Sequence, residues 1–283
     1  MRKFNSLYKS GYRRAESFTK YIAVIDSGVG GLSVLESLVR ALPQEKFLYY
    51  GDNGNAPYGS RTESDLLSLT IKNLNYILSF GVKGIVVACN TLSATLRRDI
   101  ENYSGVKTFG VYPPVFLHLF RGEKTLLLAT PFTCGQYKSV RGLYVAESGG
   151  LAKSVEKNVF NLNNVNIARE IENSRRYFCT GKSDKNGEPV LTSFYHAERF
   201  DTIILGCTHY IFVKNKIVDH FRPEFIDSGN NYTVNAVKNF FSNRKSQVIK
   251  RENDVLFVGK YADFNERFYR KVVLSSQNLP IKN

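Results

Sequence analysis

From Tyr21 onward, short apolar runs alternate with longer amphipathic stretches. Ile22–Asp26 is an unbroken apolar run closed by an acid, the pattern of a buried strand. From about Gly30 to Leu42, apolar positions recur every three or four residues, as a helix with one buried face requires. The alternation continues with a strand at Lys46–Gly51, a helix from about Thr62 to Phe80, a strand at Ile85–Ala88, a helix at Leu92–Tyr103 and a strand at Val106–Val111. Near-continuous apolar strands separated by helices predict a parallel sheet covered on both faces.

A second series opens with a strand at Thr125–Thr130 and a helix from about Cys134. It loses its pattern between about Ala146 and Arg199, and resumes with a strand at Thr202–Leu205 and a helix to His220. A strand at Glu224–Asp227, a helix to about Phe241, a strand at Val255–Val258 and a helix to about Leu274 complete the chain. The reading is an α/β protein of two similarly built lobes that meet near Val111-Tyr112-Pro113-Pro114. Ligands of open parallel sheets gather at the carboxyl ends of the strands, where Asp26, Cys89, Thr130 and Cys207 all fall.

Composition narrows the class. A hydrophobic content of 43% over 283 residues can fill real cores. The four cysteines show no CxxC spacing, which argues against a disulfide scaffold or a zinc site and for a reducing cytoplasm. No apolar stretch approaches the length of a membrane span, and the first residues lack the apolar core of a signal peptide. A formal charge of +14 brings nucleic acid into consideration. The basic residues are scattered in doublets such as Arg97-Arg98, however, and no nucleic-acid motif surrounds them, so a solvated basic surface that favours anionic small molecules is the preferred reading. Residues 1–20 form a basic extension outside the fold.

Asp26-Ser27-Gly28-Val29-Gly30-Gly31 follows the first strand like a dinucleotide loop, with Asp52 placed where a ribose-binding acid would be. Ser33 stands where the third glycine of that fingerprint belongs, so a tight turn or a small-ligand loop fits better than a nicotinamide site. Thr130 and Thr133 bracket Pro131 at another strand end, where one caps a helix or both bind a carboxylate. Cys134 and Cys179 read as inert filling, and His118, His196 and His220 as surface or core residues.

Cys89 and Cys207 differ from these. Each closes a β-branched run and opens a helical pattern, in Ala88-Cys89-Asn90-Thr91 and Gly206-Cys207-Thr208-His209. A thiol so placed faces unpaired backbone N–H groups and the positive end of a helix dipole, which favours thiolate. Two such sites suggest a pair acting from opposite sides of one substrate.

Taken together, Asp26 to Val34, Tyr50-Gly51-Asp52, Pro57-Tyr58-Gly59, Ala88 to Thr91 and Leu205 to Tyr210 resemble the glutamate racemases of the cofactor-independent aspartate/glutamate racemase superfamily. The resemblance implies two flavodoxin-like lobes with parallel sheets and an active site in the cleft between them. It implies a first lobe of residues 21–111 plus about 228–283 and a second of about 112–227. It also implies interconversion of L- and D-glutamate, supplying D-glutamate for peptidoglycan and cell-wall synthesis, in a cytoplasmic homodimer without metal or other cofactor.

By the same resemblance, Cys89 acts on the D-isomer and Cys207 on the L-isomer, with Asp26 beside the first and His209 beside the second. Asp26, Ser27, Pro57, Tyr58, Gly59, Asn90, Thr91, Thr133, Thr208 and His209 hold the substrate. The chain departs from the family's pattern at Tyr112-Pro113-Pro114, where a Glu-Pro is usual, and between Ala146 and Arg199, where a middle stretch ending in an acid is not recognisable. The alternatives are an aspartate racemase or related superfamily enzyme, or a non-catalytic basic protein that binds nucleic acid or DNA gyrase.

Overall fold

The computed structural model describes residues 20–137, 139–141, 143–147, 159–161, 167–173, 199–242 and 255–274. The basic extension up to residue 19, Cys179 and His196 lie outside the described residues, as does the side chain of His220.

The first series folds as β1 (Tyr21–Asp26), α1 (Leu32–Ala41), β2 (Lys46–Gly51), a 3₁₀ turn at Tyr58–Ser60, α2 (Glu63–Leu78), β3 (Val82–Val87), α3 (Asn90–Ser104) and β4 (Thr108–Gly110). Every residue of β1 is buried, as a strand covered on both faces must be. Leu32, Leu35, Leu38 and Val39 form the buried stripe of α1. Helix α2 starts where the Thr62 hydroxyl accepts the Asp65 N–H, with Glu63 and Asp65 adding negative charge to its first turn. Helix α3 ends at Gly105, whose φ of 67° is left-handed.

The second series comprises α4 (Val115–Phe120), β5 (Thr125–Ala129), α5 (Pro131–Tyr137), β6 (Leu143–Glu147), β7 (Val159–Asn161), α6 (Ile167–Asn173), β8 (Thr202–Gly206), a 3₁₀ turn at Thr208–Val213, α7 (Lys214–Phe221) and β9 (Phe225–Asp227). Then follow α8 (Asn230–Ser242), β10 (Val255–Val258), α9 (Ala262–Phe268) and a π-helical turn at Tyr269–Val273. No helix among the described residues is long and apolar enough to cross a membrane.

The strands form two five-stranded sheets, in the orders β10-β2-β1-β3-β4 and β7-β6-β5-β8-β9, with every pair parallel. Both are doubly wound sheets, as two flavodoxin-like lobes require. In the first, the chain steps from β1 outward to β2 and then returns to the other side of β1 with β3. In the second, it steps from β5 to β6 and β7 and returns with β8. The winding therefore reverses between β1 and β3 and again between β5 and β8, and the loops leaving these strands diverge to open a crevice. Asp26 and Cys89 leave the first reversal; Thr130 and Cys207 leave the second.

One expectation is corrected. Cys207 is followed by a 3₁₀ turn and only then by α7, so its α-helix begins later than the pattern predicts. Helix α4 follows directly after the Pro113-Pro114 pair. The patternless middle holds the end of β6 together with β7 and α6, of three and seven residues, too short to show a period.

Candidate active site

The loop Asp26 to Gly31 meets the second sheet's elements at close range, and its glycines serve space rather than positive φ, which none of them adopts. A Cβ on Gly30 would sit 2.4 Å from Thr208 Oγ1, and one on Gly28 would sit 1.7 Å from Glu172 Oε1. Tyr49 fixes this loop by donating its hydroxyl to the Gly28 carbonyl at 2.6 Å. Asp26 is buried; its carboxylate accepts the Gly28 N–H at 3.0 Å and the Thr208 hydroxyl at 3.3 Å. Burial raises its pKa, and the neighbouring Glu172 charge adds to this against the opposing pull of His209.

Cys89 caps α3, as its sequence setting predicts, but burial pushes its thiol up to about 12, and the Asp26 charge pushes the same way. The Leu92 N–H and the Ser27 hydroxyl, which favour thiolate, are outweighed. The helix-terminus argument is right about direction and too small against desolvation.

Cys207 lies 3.7 Å from His209 Nδ1, and His209 Nε2 lies 2.7 Å from Glu172 Oε1. Burial opposes a charged imidazole, but hydrogen bonds and charge from Cys207 and Glu172 overcome it and hold the His209 pKa well above the ordinary histidine range. Glu172, though desolvated, is held below the ordinary carboxylate range, chiefly by its hydrogen bond to His209. It also accepts the Val29 N–H at 2.8 Å and the Asn53 amide at 3.2 Å. Asn53 in turn accepts from Asn265 at 3.0 Å. One carboxylate thus joins the loops after β1 and β2 to the turn after β8.

Glu172 is the residue that sequence reasoning misses. Its signal is weak but present: in Ile167-Ala168-Arg169-Glu170-Ile171-Glu172, the acid shares a helix face with Ala168, and Ala168, Ile171 and Glu172 are all buried.

Ser27, Pro57, Tyr58, Gly59, Cys89, Asn90, Thr91, Cys207, Thr208 and His209 all line a single pocket where the two sheets' loops meet. Thr130, Ala168 and Gly206 complete it. Asp26 stands behind this lining. Thr133 does not line the pocket either; it lies in the first turn of α5, and the hydroxyl facing the pocket is that of Thr130, 3.5 Å from the Thr91 hydroxyl. Tyr58 is held from behind, donating to Asp52 Oδ2 at 2.5 Å. Both amide atoms of Asn90 are buried without a hydrogen-bond partner among the described residues, which costs on the order of 1–3 kcal/mol per group unless a ligand pairs them. The remaining space holds little more than one water molecule. Among the described residues, no three His, Cys, Asp or Glu side chains are arranged to hold a metal ion.

His118, read as a surface or core residue, is a buried structural link, 2.7 Å from Glu123 Oε2 and 3.2 Å from Asp227 Oδ2. Cys134 is buried in the core beneath β5. Arg97 is occupied by Glu101, the Thr108 carbonyl and Tyr112, so this basic doublet is partly structural.

The Gly28–Glu172 contact gives a direct test. Gly28→Ala is expected to displace the Glu172 carboxylate, lowering activity by about tenfold or more and stability by about 1–3 kcal/mol. Gly135→Ala is the control, because a Cβ there meets nothing within 4 Å. Thermal melting and turnover of the two variants side by side check this; equal behaviour would show that the loop has room to spare.

No family model matches the chain. A glutamate racemase of Clostridium botulinum (strain Loch Maree / Type A3) is 31% identical over 273 residues, covering 92% of this chain and 96% of the relative. The glutamate racemase of Francisella tularensis, solved in complex with D-glutamate, superposes with a TM-score of 0.65 at 21% identity, covering 89% of this chain and 94% of that one. That of Escherichia coli, in complex with L-glutamate and the activator UDP-MurNAc-ala, gives 0.66 at 20% identity, covering 91% and 95%. The two solved structures share the fold, and the clostridial relative shares sequence across nearly its whole length. With two sheet-end cysteines in one pocket and that match end to end, the chain belongs to the glutamate racemase family and is an isomerase.

Proposed function

We propose that this enzyme interconverts L- and D-glutamate by proton transfer between two cysteines, supplying D-glutamate for peptidoglycan synthesis. The observation that carries this reading is that Cys89 and Cys207 leave different sheets and line the same pocket. A racemase that works in both directions needs an acid and a base on opposite faces of one carbon, and two thiols of which one is ionised supply both.

With L-glutamate, the Cys207 thiolate takes the α-proton and the Cys89 thiol gives its proton to the other face of the carbanion. D-glutamate leaves, with Cys207 now a thiol and Cys89 a thiolate. The raised pKa of Cys89 favours its neutral form before turnover, which suits the donor role in this direction. His209, hydrogen-bonded to Cys207 and held charged, favours the Cys207 thiolate; Asp26 stands beside Cys89, where its charge favours the neutral thiol.

The amide of Asn90 and the hydroxyls of Ser27, Thr91, Thr130 and Thr208 offer donors to two carboxylates, and the N-terminus of α3 adds its dipole. In this reading the lobes divide near residues 111 and 228, which is supported by β4 ending the first run and β10 pairing back onto β2.

The test is circular dichroism of pure L-glutamate with purified enzyme and no added cofactor, with L-aspartate in parallel. Loss of the glutamate signal to zero, with aspartate slower by about a hundredfold or more, is expected. Faster loss with aspartate would transfer the assignment to an aspartate racemase.

A further inference from the structure

A pair of buried amides stands behind the substrate pocket. Asn53, in the turn after β2, and Asn265, on α9, are 2% and 1% exposed, and neither lines the pocket. They lie 212 residues apart in the sequence and meet because β10 pairs with β2, which brings the helix after β10 to the turn after β2. Asn265 Nδ2 donates to Asn53 Oδ1 at 3.0 Å, and Asn53 Nδ2 donates to Glu172 Oε2 at 3.2 Å. Gly51 leaves room for this meeting: a Cβ there would lie 2.9 Å from Asn265 Nδ2 and 3.0 Å from Asn53 Oδ1, wedged between donor and acceptor.

The direction of these bonds follows from what a carboxylate can accept. An ionised Glu takes only donors, so the NH2 end of Asn53 must face it and the carbonyl end must face away. Turned over, Asn53 would set its own oxygen against the carboxylate. The Asn265 amide holds the favourable orientation by offering a donor to that carbonyl. This spends the donor end of Asn265 and leaves its Oδ1 buried with no hydrogen-bond partner among the described residues. Packing α9 against the turn does not require an unmatched acceptor, since two apolar side chains of the same size would do it without that cost. The other oxygen of Glu172 accepts the Val29 N–H and faces His209 Nε2, so both ends of the carboxylate are fixed. Asn53 thus adds to the bonds that keep Glu172 ionised and, through it, His209 charged beside Cys207.

We infer that Asn53 and Asn265 are positioning residues for the reaction: Asn265 orients Asn53, Asn53 fixes the second oxygen of Glu172, and Glu172 so held keeps the imidazole of His209 in place beside Cys207. The consequence for turnover rests on the reading of Cys207 as an acid–base group; the hold on His209 does not. Without the Asn53 donor, the proton between His209 and Glu172 lies nearer the carboxylate, and the imidazole loses its charge at lower pH. The other titratable groups set against this pair among the described residues are Asp26 after β1, Tyr49 on β2 and Cys207 after β8, and changes at Asn53 or Asn265 leave all three in place.

Asn53→Leu and Asn265→Leu keep the size of the side chain and remove the amide. Nitrogen-15 NMR of the full chain labelled at its four histidines, with His209 identified as the signal lost in His209→Asn, reads the imidazole charge directly. Asn53→Leu is expected to lower the pH at which His209 gives up its proton by about one unit, and kcat/KM by about tenfold for both isomers of glutamate alike. Asn265→Leu is expected to act in the same direction by about half a unit and about threefold, since Asn53 remains and loses only the partner that orients it. In each variant the alkaline limb of the kcat/KM profile moves toward acid with the His209 titration. An unmoved His209 titration in both variants overturns the inference whatever happens to activity, because lost packing lowers stability without reaching the imidazole. A shift in Asn53→Leu alone removes the part given to Asn265. Should Asn53→Leu fail to fold, Asn265→Leu decides by the same measurement. A shifted titration with unchanged kcat/KM overturns the link to the reaction. A wild type that racemises neither isomer, with the shift present in its variants, leaves the positioning standing and removes the functional reading instead.

Discussion

Cys89→Ser and Cys207→Ser are each expected to lose two-way racemisation by about a thousandfold or more, within the range that positioned acid–base groups supply. Serine is nearly isosteric, and both thiols are buried, so the substitution changes the proton chemistry and little else. A hydroxyl is a far weaker acid than a thiol and cannot shuttle a proton between free and carbon-bound states at neutral pH. The two losses do not add, because the cysteines act on one carbon as a unit and the double variant has no further step to lose.

A sharper readout separates them. In deuterated water, Cys89→Ser still has Cys207 to exchange the α-proton of L-glutamate but cannot deliver to the opposite face. Cys207→Ser has the converse competence toward D-glutamate. Each variant should exchange one isomer without inverting it, seen by mass spectrometry beside a flat dichroism trace. Full turnover in both directions by either variant would mean that some other group carries the proton.

Which parts of this arrangement were visible in the sequence follows from how local each signal is. β1 is an apolar run and α1 and α3 carry buried stripes, so these elements were legible from pattern, whereas β3 was legible only from Ile85 because Lys83 and Gly84 interrupt its start. The pocket residues were legible because they sit at strand ends in residue clusters that a resemblance could match. Glu172 was not, since a seven-residue helix has scarcely two turns of periodicity and nothing in its neighbourhood shows that the partner is His209, 37 residues away.

The part played by the glycines of the first loop is hidden for a related reason. Their need for space comes from Glu172 and Thr208, which meet them only in the folded chain. The Cys89 thiol shows the same limit: its helix cap is written locally, while the burial and the Asp26 charge that dominate it are tertiary.

Glu172→Gln is expected to cost about a hundredfold in kcat/KM, because Gln keeps the shape but removes the charge that orients and protonates His209 beside Cys207. The pH dependence of stability tests this apart from activity. Glu172 is held below its ordinary 4.5, so its contribution is present above that value and is lost as acid takes the pH down through its folded pKa. His209 is held well above its ordinary 6.5, so its contribution is full below that value and is lost as the pH rises through its folded pKa. Between these two ordinary values, wild type carries the whole stabilisation of the pair, and the variant carries none. Its melting temperature should therefore fall furthest below wild type in that window, with the gap narrowing on either side. Asp26, whose pKa is raised, bends the profile the opposite way at the acid end, but it is present in both proteins and largely cancels in their difference. Thermal melts across the range give the comparison directly. A gap independent of pH would mean that Glu172 acts by packing alone, and a kcat/KM profile whose alkaline limb fails to move toward acid would show that it does not set the protonation of His209.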